Sequence, residues 1–139
     1  MSNIKTIYTN IANMTVGSIP ARNVISVDQS ILSGDLPVRI LLPKTSADME
    51  FVMLGNLEKL VWSITDLCIF GSVSAGSGVE QYSEDMVDYM NLYMTAIKSK
   101  RNPAPNCHIE GVQIELGPIL WGDKDYWAVE IILTVSEVL

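Results

Sequence analysis

The chain is 139 residues long, which suits a single domain over 1–139. Nine Lys and Arg against sixteen Asp and Glu give a net charge of −7, and this argues against tight sequence-independent binding of nucleic acid, which needs a basic footprint. Hydrophobic residues make up 48% and the mean hydropathy is +0.26; the excess reads either as a dense core or as surface that an oligomer buries, and the second is favoured.

The first apolar pattern is Ile4, Ile7, Tyr8, Ile11 and Met14, one face of a short helix that Ser2 or Asn3 can cap and that Gly17, Ser18 and Pro20 stop. Residues 1–15 have no apolar h-region, so no signal peptide is expected, and no apolar run nears the roughly 18 residues of a membrane span. Residues 18–36 stay ambiguous: Val24 to Val27 could be a strand among turn signals at 28–30 and 33–35. PVRILLP at 37–43 reads as a short strand at an edge or as a single crossing, because prolines bracket it. Residues 45–50 read as a polar loop or a helical turn, and Phe51 to Leu54 as apolar packing or a brief strand.

The run from Leu57 to Val73 is a long strand. Leu60, Trp62 and Ile64 alternate with Lys59, Val61, Ser63 and Thr65; both faces then turn apolar through Leu67 to Phe70, which fits a central position, with a bulge expected at Asp66. Gly71, Ser72, Val73, Ser74, Ala75, Gly76, Ser77 and Gly78 form a glycine/serine loop. It lacks the Gly-Lys-Ser/Thr ending of a phosphate cradle and is a candidate partner-docking loop. Residues 82–100 form the clearest helix, with an apolar stripe of Tyr82, Met86, Tyr89, Met90, Tyr93, Met94 and Ile97 expected to pack on the sheet. Ser83 is its candidate N-cap, and Pro103 blocks continuation.

The last thirty residues organise the chain. Val112, Ile114 and Leu116 share one face of a first alternating run; Trp127, Val129, Ile131, Leu133 and Val135 share one face of a second. A period of two in such residues marks half-buried strands, and the join at 122–125 is turn chemistry. The expected fold is α+β: a mixed or antiparallel sheet flanked by two helices and closed by a long C-terminal hairpin.

Chemistry finds little support. Cys68 and Cys107 have no CxxC partner, and Cys107 and His108, as strand neighbours, point to opposite faces. Scattered carboxylates, including Glu110, Asp123 and Asp125, read as a solvated face. No catalytic residue, metal site or cofactor is expected. Trp62 and Trp127 read as core.

Taken together, IKTIYTNIANM, LVWSITDLCIFGS, YSEDMVDYMNLYMTAIKSK and the closing YWAVEIILTVSEVL follow one another in an order that resembles the tail terminator, tail-completion and neck proteins of long-tailed bacteriophages. The resemblance spans nearly the whole chain and lies in the order and length of elements. It implies a structural, non-enzymatic virion protein, assembled in the host cytoplasm. Such a protein forms a homo-hexameric ring that caps the tail tube, binds the tail tube protein and a neck or head-completion protein, and lets DNA pass without specific binding or membrane contact. On that footing Trp121 and Tyr126 are candidate inter-subunit contacts, and Glu115 and Glu130 candidate lumen-facing acids. The alternatives are another head–tail connector ring protein or a small α+β ligand-binding module.

Overall fold

Two of the three longest strands lie at the middle of one sheet, the third at its edge, and the two helices pack on one of its faces. The computed structural model describes residues 4–14, 16, 17, 19, 21–23, 37–41, 46–52, 57–73, 80–121 and 124–138. In chain order these form α1 (Ile4–Ala12), β1 (Ala21–Asn23), β2 (Val38–Leu41), β3 (Ser46–Val52), β4 (Leu57–Ser72), α2 (Glu80–Lys98), β5 (Cys107–Trp121) and β6 (Lys124–Val138). The strand order among them is β1-β2-β4-β6-β5, with β3 also on β4. Only β1 and β2 run parallel, so the sheet is mixed and the α+β expectation holds.

The closing hairpin is longer and tighter than expected. Trp121 pairs with Lys124, so Lys124 and Asp125 belong to β6 and not to the turn. On β6, Val129, Ile131, Leu133 and Val135 are fully buried against α1 and α2. Their partners Leu116, Ile114 and Val112 on β5 point the same way, as the alternation requires, but Val112 and Leu116 are 37% and 38% exposed. The faces follow from period two; the exposure follows from β5 being the sheet's last strand.

β4 is central, as its two apolar faces required. β6 covers one of its edges; β2 and β3 share the other end to end, β3 on residues 57–63 and β2 on residues 66–69. The bulge lies between Ile69 and Gly71, not at Asp66, which stays in register with both Leu41 and Ile131. Phe70 and Gly71 thereby turn towards α2, and the ring of Phe70 meets Tyr89 edge-on at 5.6 Å. β2 is not an edge strand, because β1 pairs its far side. Residues 46–50 are strand rather than loop or helical turn, and Phe51 and Val52 continue it, as the brief-strand alternative had them: the long β4 presents an edge there, and pairing with it satisfies backbone groups that the local sequence leaves undecided. Val24 to Val27, Met53 and Leu54 lie outside the described residues.

α1 buries Ile7 and Ile11, with Met14 just beyond its end. Gly17 then takes φ +60°, a conformation open to glycine. α2 buries Met86, Tyr89, Tyr93 and Ile97, and so packs on the sheet as expected. Two details differ: α2 begins at Glu80, so Ser83 lies within it and is not its N-cap, and Met94 is 48% exposed on its outer side. A second, smaller cluster on the sheet's other face joins Val38, Ile40, Leu67, Ile69, Tyr126 and Ala128.

Candidate functional site

Buried polar groups mark where a fold concentrates electrostatic energy; Ser136 and Glu137 are buried near the end of β6, and a denser cluster surrounds one residue of β4. Asp66 and Arg39 are both 0% exposed. Arg39 Nε donates to both carboxylate oxygens at 3.0 Å, and a terminal nitrogen reaches Oδ2 at 2.6 Å. The Tyr93 hydroxyl donates to the same Oδ2 at 2.7 Å, and its ring lies 5.7 Å from the guanidinium. The remaining guanidinium donors go to the carbonyls of Ile11, at 2.8 Å, and Met14. The Ile11 carbonyl lies in the last turn of α1, where it also accepts the Met14 N–H at 3.1 Å, and the Met14 carbonyl lies just beyond the helix. One arginine thus ties α1, β2, β4 and, through Asp66, α2 together.

Burial raises the Asp66 carboxyl, against the opposing pull of Arg39 and the Tyr93 hydroxyl. Burial alone would lower Arg39, but Asp66 outweighs it and holds the guanidinium charged. Next to them burial pushes the Cys68 thiol up to about 12 and also raises Tyr89 and Tyr93. Within this cluster every charge meets its partner inside the protein. What the arrangement does chemically is anchor elements. Sequence reasoning missed it, although a signal existed: Arg39 and Asp66 are lone opposite charges, each inside an apolar run.

The surface carries the remaining candidates. Glu115 and Glu130 are direct cross-strand partners on the face away from the helices, Glu115 exposed and Glu130 half-buried. Trp121 is half-buried against the second cluster, while Tyr126, only 6% exposed, belongs to the chain's own packing and is not an exposed anchor. Trp62 and Trp127 are half-buried against the main core, and Trp62 Nε1 donates to buried Glu137 at 3.2 Å. Cys107 is buried and His108 exposed, facing opposite ways as expected, with His108 Nδ1 2.6 Å from Asn102 Oδ1. Within the candidate loop, Gly71 and Ser72 are strand residues paired with Trp127 and Tyr126, and Gly71 is buried, which withdraws both from the loop. Val73 follows them, half-buried; Ser74, Ala75, Gly76, Ser77 and Gly78 lie outside the described residues.

A groove of about 420 Å³ runs between α2 and the turn after α1, lined by Tyr82, Asp85, Asp88, Leu92 and Val16 among others. On the other side of the molecule, the outer edge of β5 has no strand beside it among the described residues. Glu110, in a bulge of β5, meets Lys59 at 3.2 Å and is held below the usual carboxylate range by the Ser136 hydroxyl and then by Lys59. No group of three or more metal-ligating side chains comes together among the described residues, and no described helix is long and apolar enough to cross a membrane. The sequence matches no family model and no curated protein.

Proposed function

We propose that the chain is a structural virion protein of the tail terminator kind, a ring-forming subunit that caps the tail tube and joins it to the neck and head. The order of elements suggests this, and one structural observation supports it: the sheet ends in a fifteen-residue strand whose outer edge has no strand beside it among the described residues, with part-exposed apolar side chains along it. Such an edge is a template for another chain. In a head-to-tail ring each subunit would offer one surface to a different surface of the next, closing after six copies. Glu115 and Glu130, side by side on the face away from the helices, would give a lumen wall that repels the phosphates of passing DNA. The partners are then further copies of the chain, the tail tube protein and a neck or head-completion protein, and the site of action is the virion tail or neck.

Light scattering on the purified protein, and electron micrographs of tail tubes grown with and without it, test the reading. Six-subunit rings seated on tubes of limited length support it. A single subunit that leaves tube length unchanged overturns it. The groove beside Asp85, Asp88 and Leu92 favours a second reading, a ligand- or peptide-binding module. That reading predicts a raised melting temperature with a small basic or aromatic ligand, lost in Leu92→Asp.

A further inference from the structure

The free edge of β5 reads the same in both directions. Its central segment is Gly111-Val112-Gln113-Ile114-Glu115-Leu116-Gly117, with glycine at each end, an apolar residue next, then an amide or a carboxylate, and isoleucine in the middle. We infer that this edge pairs with the same edge of a second copy of the chain, antiparallel, about a twofold axis at Ile114.

The backbone is set up for it. Ile109 donates its N–H to the carbonyl of Arg101 at 2.8 Å, away from β6, so at residue 109 the odd-numbered position faces outward. The bulge between Ile109 and Gly111 inserts one residue and reverses that parity. Beyond it Val112, Ile114 and Leu116 turn their N–H and C=O outward. Pro118 fits the same phase, because a proline in a paired strand places its missing donor on the unpaired side. Above the window the 101–102 segment covers the edge, with Asn102 on His108 as well as Arg101 on Ile109. Below it Pro118 removes a donor. These devices blunt the edge at both ends and leave residues 111–117 open between them.

The side chains then match. About Ile114, Val112 lies opposite the second copy's Leu116, so two part-exposed apolar residues on each strand cover one another. Gln113 lies opposite the second copy's Glu115. Within one strand Gln113 Nε2 already donates to Glu115 Oε1 at 3.1 Å, and the amide has a second hydrogen to donate to the carboxylate across the axis. Gly111 meets Gly117, with no side chain to hold the strands apart. Each of Val112, Ile114 and Leu116 exchanges both backbone bonds with its opposite. A twofold contact of this kind is self-complementary by construction. It occupies the same edge that supports the ring reading, so with this pairing a ring has to close through other surfaces.

Cysteine pairing tests the register. Position 113 of one copy lies opposite 115 of the other, about 4.5 Å apart between Cα atoms in a non-hydrogen-bonded pair, which a disulfide can span. A mixture of Gln113→Cys and Glu115→Cys proteins is therefore expected to crosslink into dimers under mild oxidation, and neither variant alone is. The native Cys68 and Cys107 are buried and contribute no background. Leu116→Pro, which removes an outward donor from each copy, is expected to weaken self-association about thirtyfold. Gln113→Glu, a change at an exposed position, sets two carboxylate pairs across the axis and is expected to weaken it about tenfold at low salt. A mixture that does not crosslink, or single variants that crosslink as well as the mixture, overturns the pairing. Six-subunit rings without the mixed crosslink overturn it too while leaving the ring reading intact. Two-subunit particles with the crosslink support it and count against the ring.

Discussion

Asp66 and Arg39 show how a buried charge pair is weighed. Neither charge gains much from being in the interior, because desolvation offsets most of their attraction, yet removing one strands the other. Asp66→Asn leaves a guanidinium 0% exposed without its counter-charge. The expected loss is about 3–5 kcal/mol of unfolding free energy in a denaturant titration. Replacing both, Arg39→Met with Asp66→Leu, is expected to recover most of that loss; a double variant as unstable as the single one would mean that the contacts of Arg39 with the α1 carbonyls dominate instead. The neighbouring groups fix the pH response. Cys68, Tyr89 and Tyr93 all have raised values in the folded protein, so the native state keeps protons that the unfolded chain has already released. Their contribution is therefore complete below the thiol's ordinary value of about 9 and is lost as the pH rises towards the folded values. The denaturation midpoint is expected to stay level across neutral pH and fall above about pH 9. Cys68→Ala should move the onset up towards the ordinary tyrosine range, about pH 10. A midpoint already falling at neutral pH would show that other groups govern it.

Among the elements, β4 and α2 approach closely at one glycine. A Cβ built on Gly71 would lie 2.2 Å from the Tyr82 ring, so the bulge that turns residues 70 and 71 towards α2 needs a residue without a side chain. Gly71→Ala is expected to cost about 1–3 kcal/mol through overpacking. In a Tyr82→Ala background the same change should cost far less, because the obstructing ring is gone. Additive losses in that cycle would place the strain in the backbone and not in the contact. This is also where legibility from sequence stops. The alternation of β6, the two apolar faces of β4 and the 3.6-residue stripe of α2 were readable, because each buries a periodic face and the period is set by backbone geometry alone. Most of β3 was not, beyond the brief strand offered at Phe51 and Val52, because a strand that forms to complete a long neighbour's edge needs no pattern of its own. The bulge at Phe70 was not either: nothing in CIFGS distinguishes a strand that runs straight on from one that gains a residue. On the surface, that Glu115 and Glu130 lie on a polar face was legible from alternation, but that they sit directly opposite each other depends on hairpin register. The join was expected to span 122–125, and Lys124 and Asp125 instead extend β6.

At the scale of the whole molecule, the sheet's order sets which parts hold and which open. β4 and β6 have strands along both edges and helices over one face, so their amides lie within the most protected part of the sheet. β5 has one partner only. Its amides are expected to alternate in hydrogen exchange: Gln113 and Glu115, whose N–H groups face β6, exchange slowly, and Val112, Ile114 and Leu116, whose groups face outward, exchange at nearly the rate of open chain in dilute solution. As concentration rises, pairing of two edges would protect those three and leave Gln113 and Glu115 little changed, because the latter are already bonded. Leu120, 70% exposed and beyond Pro118, should stay unprotected at every concentration. The pattern separates edge pairing from association through the exposed apolar residues of α2, Val87, Leu92 and Met94, which would leave all the outward β5 amides fast. Slow exchange at Val112, Ile114 and Leu116 even at the lowest concentration would mean that a segment of the same chain already occupies the edge.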